Sequence, residues 1–237
     1  MPKLGYGVFQ VSNEECERCV LDAISVGYRS IDTAQSYGNE EAVGSAVQKS
    51  GVPREELFLT SKIWMSNAGY EKAKASIDKS LQRMKTDYLD LMLIHQPFGD
   101  YYGAYRAMEE AYKAGKLRAI GVSNFYPDRL IDLCQFAEVS PMVNQVETHV
   151  FQQQKVAHEY MKKYGVQHEA WGALCRGQKE LLYQPRAGGD RPELRQNSRP
   201  NCPAVPHPVR CGGDSQIHSQ GADGAEPGCI RFCPERC

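Results

Sequence analysis

Through the first 172 residues, short apolar runs alternate with longer stretches in which apolar positions recur every three or four residues, the rhythms of strand and helix. Residues 4–10 read as a short strand, and Ser12 with Glu15 three positions later is a capping box that opens a helix ending before Gly27. Residues 28–31 form the next strand, and Gly38 or Asn39 caps a helix over 40–49 that Gly51 and Pro53 end. A third strand spans 57–62, followed by a helix over 70–84 whose apolar face carries Ala73, Ile77 and Leu81. Residues 88–95 are too continuously apolar for a half-exposed strand and fit one covered on both faces, as in a parallel sheet. Helix 102–114, strand 117–122, helix 129–136, strand 142–147, a helix around 156–164 and strand 166–171 complete the pattern.

Seven strands alternating with six helices predict an α/β fold, a TIM (β/α)₈ barrel incomplete by one strand, over residues 1–172. The alternation stops after Gly172. Residues 186–237 show neither period, and Gly188-Gly189, Pro200, Pro203, Pro206, Pro208 and Gly212-Gly213 interrupt every candidate element. Five prolines precede Gly172 and eight follow it, and six of the nine cysteines lie beyond it. Residues 173–237 therefore read as an irregular, disordered, non-native tail. Without an eighth strand, strands one and seven are expected to be open edges and the chain only marginally stable.

A net charge of −1, with 28 basic residues scattered among 29 acidic ones, gives no footprint for nucleic acid or an anionic membrane. No apolar run approaches the roughly 18 residues that cross a bilayer, and residues 1–5 are not followed by a signal-peptide core, so the expected compartment is the cytoplasm.

The polar residues that interrupt the strands fall at their C-terminal ends: Asp32 and Tyr37 just past strand two, Lys62 ending strand three, and His95 ending strand four. Strand five ends in Ser123-Asn124, strand six carries Gln145 and strand seven ends in Trp171. In a barrel these positions share the face where chemistry is found. Singly, each has a plainer role: Asp32 as a turn cap, Tyr37 or Trp64 as a packed rim ring, Lys62 as a solvated charge, His95 as a satisfied core residue. Their recurrence at equivalent positions argues for a site.

The motifs Asp32-Thr33-Ala34, Tyr37-Gly38-Asn39-Glu40, Thr60-Ser61-Lys62-Ile63-Trp64, His95-Gln96-Pro97, Gly121-Val122-Ser123-Asn124-Phe125 and Asn144-Gln145-Val146-Glu147 together resemble the aldo-keto reductases, in particular their bacterial diketogluconate reductase-like branch, over residues 3–172. The resemblance implies an NADPH-dependent reductase of aldehydes and ketones. It makes Asp32, Tyr37, Lys62 and His95 a catalytic tetrad, with Tyr37 giving its proton to the carbonyl oxygen as hydride arrives. A phenol titrates at about pH 10, so a neighbouring ammonium from Lys62 is needed to favour the phenolate left behind. Asp32 would keep Lys62 charged, and His95 would hydrogen-bond the substrate oxygen. The resemblance also assigns Ser123, Asn124 and Gln145 to the nicotinamide carboxamide, Trp171 to stacking on the nicotinamide ring, and Trp64 with His95 to the substrate pocket. The implied partner is a small-molecule carbonyl compound, and a monomer is expected.

Two parts of the family pattern have no counterpart here. One is a hairpin ahead of strand one. The other is an Ile-Pro-Lys-Ser loop, followed by an Arg and an Asn, that would hold the adenosine phosphate after strand eight; its loss predicts impaired activity. A frameshift after Gly172 accounts for it: codons chosen for Ala173 to Gly177, read one base later, give Pro-Phe-Ala-Glu-Gly, and continuing from Asn197 through His218 they give an amphipathic helix and then Ile-Pro-Lys-Ser. A competing reading is a non-catalytic barrel whose tail binds metal through Cys202, His207, Cys211, Cys229, Cys233 and Cys237. The spacing disfavours zinc, because only Cys229, Cys233 and Cys237 lie close together and their two pairs share a residue.

Overall fold

Ser12 starts the first helix as its spacing predicts, its side chain accepting a hydrogen bond from the Glu15 amide at 3.3 Å. In the computed structural model, which describes residues 1–174 and the backbone of residues 214–218, that helix follows the first of seven parallel strands. The strands are β1 (Leu4–Gly7), β2 (Ser30–Asp32), β3 (Phe58–Ile63), β4 (Leu91–Ile94), β5 (Ile120–Ser123), β6 (Val143–Glu147) and β7 (Gln167–Trp171). The helices between them are α1 (Asn13–Ser25), α2 (Glu40–Lys49), α3 (Tyr70–Arg83), α4 (Tyr101–Lys113), α5 (Pro127–Phe136) and α6 (Lys155–Tyr164). Every predicted element is present. The strand predicted over 88–95 shortens to β4, and α5 starts two residues early because Pro127 suits the first turn of a helix, where its missing N–H costs nothing.

Consecutive strands pair in parallel from β1 through β7, so all seven C-terminal ends share one mouth. The larger apolar core lies between helices and strands, where Val20, Ile31, Val43, Ile77, Met108 and Leu130 are buried. A second cluster of Leu91, Leu93 and Val143, flanked by Phe58, Ala119 and Met142, lies along β4 and at the starts of β3, β5 and β6. By the two-residue period of a strand, Lys62, Ser123 and Gln145 lie further along the face of Phe58, Ala119 and Val143. An apolar floor thus passes into a polar layer towards the mouth.

One expectation is corrected. A strand β8 (Asp214–His218) pairs antiparallel with β1, Leu4 opposite Ile217, and with β7, Ala170 opposite Ile217, and closes the ring. Strands one and seven are therefore not open edges. No periodic cue marks β8, and none was required: pairing two edges uses backbone N–H and C=O groups, which any extended segment offers. Its antiparallel direction differs from the parallel eighth strand of a (β/α)₈ barrel, so the seven βα strands remain an incomplete set of that kind. The tail cysteines and His207 lie outside the described residues. Among the described residues no cluster of three His, Cys, Asp or Glu side chains could hold a metal, and no helix is long and apolar enough to cross a membrane.

Candidate active site

Asp32 is the last residue of β2 and is buried, which corrects its expected place in the loop beyond. Tyr37 ends the short 3₁₀ turn Gln35–Tyr37 that follows, and Gly38 at φ 72° reverses the chain into α2. Asn39 holds this connection without capping α2 through its side chain. Its amide donates to the Val8 and Val11 carbonyls at 3.0 and 3.3 Å, and its oxygen accepts from Thr33 Oγ1 at 2.7 Å. The loops after β1 and β2 are thereby tied together beneath Tyr37, whose ring packs 5.0 Å from that of Phe9.

Lys62, from β3, is 1% exposed and forms an ion pair with Asp32. Its ammonium also donates to the Thr33 carbonyl at 3.0 Å and reaches Tyr37 Oη at 3.5 Å. Burial works against its charge, but the adjacent Asp32, and after it Tyr37, more than offset that, and the Lys62 pKa is raised. The ammonium is therefore charged at neutral pH.

His95 follows β4 and stands edge-on to Tyr37, with ring centroids 5.7 Å apart, and to Trp64 at 5.0 Å. Ser36 Oγ lies 3.3 Å from its Nδ1. Burial, and then the charge on Lys62, lower its pKa to about 3, so the imidazole is neutral. Exposed Met65 and Phe98 flank this side of the mouth in sequence, on the loops after β3 and β4.

The residues expected on the cofactor side also meet. Asn124 adopts the left-handed conformation, φ 61°, which is costly for a residue with a Cβ, and its side chain is fully engaged. Its nitrogen donates to the His95 carbonyl and to Ser123 Oγ, both at 3.1 Å, and its oxygen accepts from Trp171 Nε1 at 3.0 Å. Ser123 Oγ donates to the Gln145 carbonyl at 2.9 Å.

Glu169 is the residue the sequence reading overlooked. It lies on β7 directly beside Gln145 on β6, fully buried. The Gln145 side-chain nitrogen donates to Glu169 Oε1 at 2.7 Å and to Asp32 Oδ2 at 3.0 Å, so one amide bridges two carboxyl groups. Burial, and then repulsion from Asp32, push the Glu169 carboxyl up to about 8. The signal was available: a period of two from Trp171 places Glu169 on the inner face.

This arrangement can supply a proton at a phenol next to a buried ammonium, beside a neutral imidazole able to hydrogen-bond an oxygen. Comparisons with known proteins point to one family. The sequence model described as the Aldo/keto reductase family matches residues 3–211, beyond the residue-172 limit expected from sequence. The chain is 53% identical over 180 residues to a glyoxal reductase of Bacillus subtilis (strain 168), a match covering 75% of this chain and 65% of that protein. It is 41% identical over 187 residues to a methylglyoxal reductase of Escherichia coli (strain K12), covering 78% and 67%. Among solved structures, an aldo-keto reductase from a Medee basin deep-sea metagenome library superposes with TM-score 0.76 at 45% identity, over 78% of this chain and 69% of that one. An aldo-keto reductase of Bombyx mori in complex with NADP superposes with TM-score 0.69 at 31% identity, over 72% and 62%. The chain thus spans about two thirds of the length of these relatives.

Proposed function

Because the chain belongs to the aldo/keto reductase family, we propose that its barrel mouth reduces aldehydes and ketones to alcohols, with NADPH as hydride source and Tyr37 as proton donor. The observation that carries this reading is the Asp32–Lys62 ion pair set 3.5 Å from Tyr37 Oη. As the carbonyl carbon accepts hydride, its oxygen gains negative charge and takes the phenolic proton. The phenolate left behind faces the Lys62 ammonium, and solvent later returns its proton. His95, held neutral, donates a hydrogen bond that orients the carbonyl, and Trp64 forms an apolar wall beside it.

A nicotinamide dinucleotide, when bound, supplies the hydride. The donor set suits its carboxamide, which needs both a donor and an acceptor: Ser123, Asn124 and Gln145 carry hydroxyl and amide groups that would exchange part of their present hydrogen bonds for those of the carboxamide, and Trp171 offers an aromatic face. The strained backbone of Asn124, secured on His95, Ser123 and Trp171, supports a prebuilt site over a chance cluster. Small aldehydes of the kind named by the glyoxal and methylglyoxal reductase relatives are the substrates to try first. The test is loss of reduced-nicotinamide absorbance with glyoxal or methylglyoxal. No turnover above the rate without protein would refute the proposal.

We further propose that residues after Gly172 are read out of frame, which would remove the adenosine-phosphate loop and weaken NADPH binding. The supporting observation is the change in proline and cysteine content after Gly172, together with the finding that codons can be chosen for these residues so that the shifted frame reads family-like peptides. The family match itself runs on to residue 211, so the nucleotide sequence decides: a shifted frame that encodes no Ile-Pro-Lys-Ser rules the idea out.

A further inference from the structure

Gln35 opens the short turn that ends in Tyr37, and all four hydrogen-bonding positions of its side-chain amide are in use. The oxygen accepts from the Trp64 main-chain N–H at 3.0 Å and from Asn67 Nδ2 at 2.8 Å. The nitrogen donates to the Ser76 carbonyl at 3.2 Å and to Ser80 Oγ at 3.1 Å. A main-chain N–H only donates and a main-chain carbonyl only accepts, so the two ends of this amide cannot be exchanged. Three segments meet on it: the β2–α2 connection, the 3₁₀ turn Met65–Asn67 with Trp64 before it, and the face of α3 on which Ser76 and Ser80 are buried one turn apart.

The Trp64 N–H needs such a partner. Ile63 opposite Ile94 is the last pair of the β3–β4 ladder, so the next amide has left the sheet. Trp64 then leads, at φ −79° and ψ 152°, into the 3₁₀ turn, and its ring stands 5.0 Å from that of His95. The Tyr37 ring stands 5.7 Å from the same imidazole, and Ser36 Oγ lies 3.3 Å from its Nδ1. One turn of chain thus carries the phenol, touches the imidazole and holds the backbone of the indole beside it.

We propose that Gln35 is a positioning residue that sets substrate size: its amide fixes residues 64–67 against the Tyr37 turn and so holds the mouth narrow enough to favour small aldehydes over bulky ones. This rests on the reading of the mouth as a carbonyl reductase site. Gln35 acts through Trp64 and need not touch the substrate. Tyr37 keeps its other supports, since Asn39 ties the same connection to the Val8 and Val11 carbonyls and Lys62 comes from β3. Loss of the Gln35 amide therefore falls on substrate binding more than on proton transfer.

Gln35→Met keeps the reach of the side chain and removes its four hydrogen bonds. In the full chain it should raise the methylglyoxal KM by roughly five- to tenfold with kcat within about twofold of the parent. The ratio of kcat/KM for methylglyoxal to that for benzaldehyde should fall. Asn67→Ala removes only one of the bonds; it should move KM the same way by less, and add little in the Gln35→Met background. A lower kcat at constant KM, or equal losses for both aldehydes, would overturn the proposal, because a purely structural tie would slow every substrate alike. Quenching of tryptophan fluorescence by acrylamide reads the clamp without turnover. The chain has two tryptophans, Trp64 and Trp171, and Trp64→Phe assigns the signal. Trp64 should be quenched more readily in Gln35→Met and in Asn67→Ala than in the parent; unchanged quenching would also overturn the proposal. Easier quenching in a protein that reduces neither aldehyde would sink the proposed function and leave the clamp established. Reduction of both with unchanged quenching would do the reverse.

Discussion

Lys62 Nζ stands 3.5 Å from Tyr37 Oη while Asp32 holds its charge from the other side, so the phenol of this barrel faces a fixed cation. Deleting the hydroxyl tests its role directly. Tyr37→Phe should lower kcat for carbonyl reduction by roughly 10²–10⁴, with NADPH affinity nearly unchanged, because only the proton donor is removed. Steady-state turnover and a fluorescence titration of the cofactor read the two quantities separately, and a Phe variant with parental kcat would exclude Tyr37 as the donor.

Lys62→Met should cost stability as well as turnover. The thioether fills the volume but strands the Asp32 carboxylate, and breaking one side of a buried pair costs about 3–5 kcal/mol. Denaturant unfolding measures this. Lys62→Met with Asp32→Asn should recover part of the loss, since no charge is then left alone.

Acid should destabilise the protein from about pH 6.5 downward. His95 and His168 have pKa values lowered to about 3 and about 4, His168 by burial and then by His158, whose Nδ1 lies 3.1 Å from its own. The unfolded chain takes up these protons near pH 6.5 and the folded one does not, so stability is complete above that pH and is lost as pH falls. Each histidine contributes a slope of at most about 1.4 kcal/mol per pH unit. His168→Asn should flatten the Tm profile between pH 6.5 and 4; an unchanged slope would remove His168 from the account.

Gly44→Ala should destabilise although alanine favours helix. Added at Gly44 on α2, a Cβ would lie 2.6 Å from the Met84 backbone at the end of α3, where no flexible side chain can yield. The clash costs roughly 1–3 kcal/mol or more against a propensity gain of about 1 kcal/mol. A raised Tm would show that the two helices have room to part.

Ending the chain at Leu174 removes β8 and exposes the pairing edges of β1 and β7. The truncated form should scatter light at concentrations where the full chain is clear. Equal solubility would mean that β8 does not protect these edges.

The βα alternation was readable because amphipathic helices and buried parallel strands carry different apolar periods, and the site followed from polar residues ending successive strands. Two features went unread, for different reasons. Glu169 had a signal, since the alternation of β7 places it with Trp171 on one face and His168 on the other, against His158, but as one carboxylate inside a strand it did not join the polar residues at the strand ends. β8 lay beyond periodicity altogether, since edge pairing draws on backbone groups that every residue shares. Asp32 was displaced by one strand boundary, the kind of error that apolar runs cannot resolve at a polar end.

Asn124 gives the mouth an unusual economy. Its side chain ties the His95 backbone to the edge of the Trp171 indole, from a main-chain conformation that a β-branched residue could hardly adopt. Under the function proposed above, substrate preference and cofactor preference are therefore mechanically linked. An engineer who reshapes one half of the mouth by moving this loop will move the other half too, and variants that alter aldehyde choice independently of the cofactor are better sought at Trp64 and Phe98, whose side chains are not hydrogen-bonded to that joint.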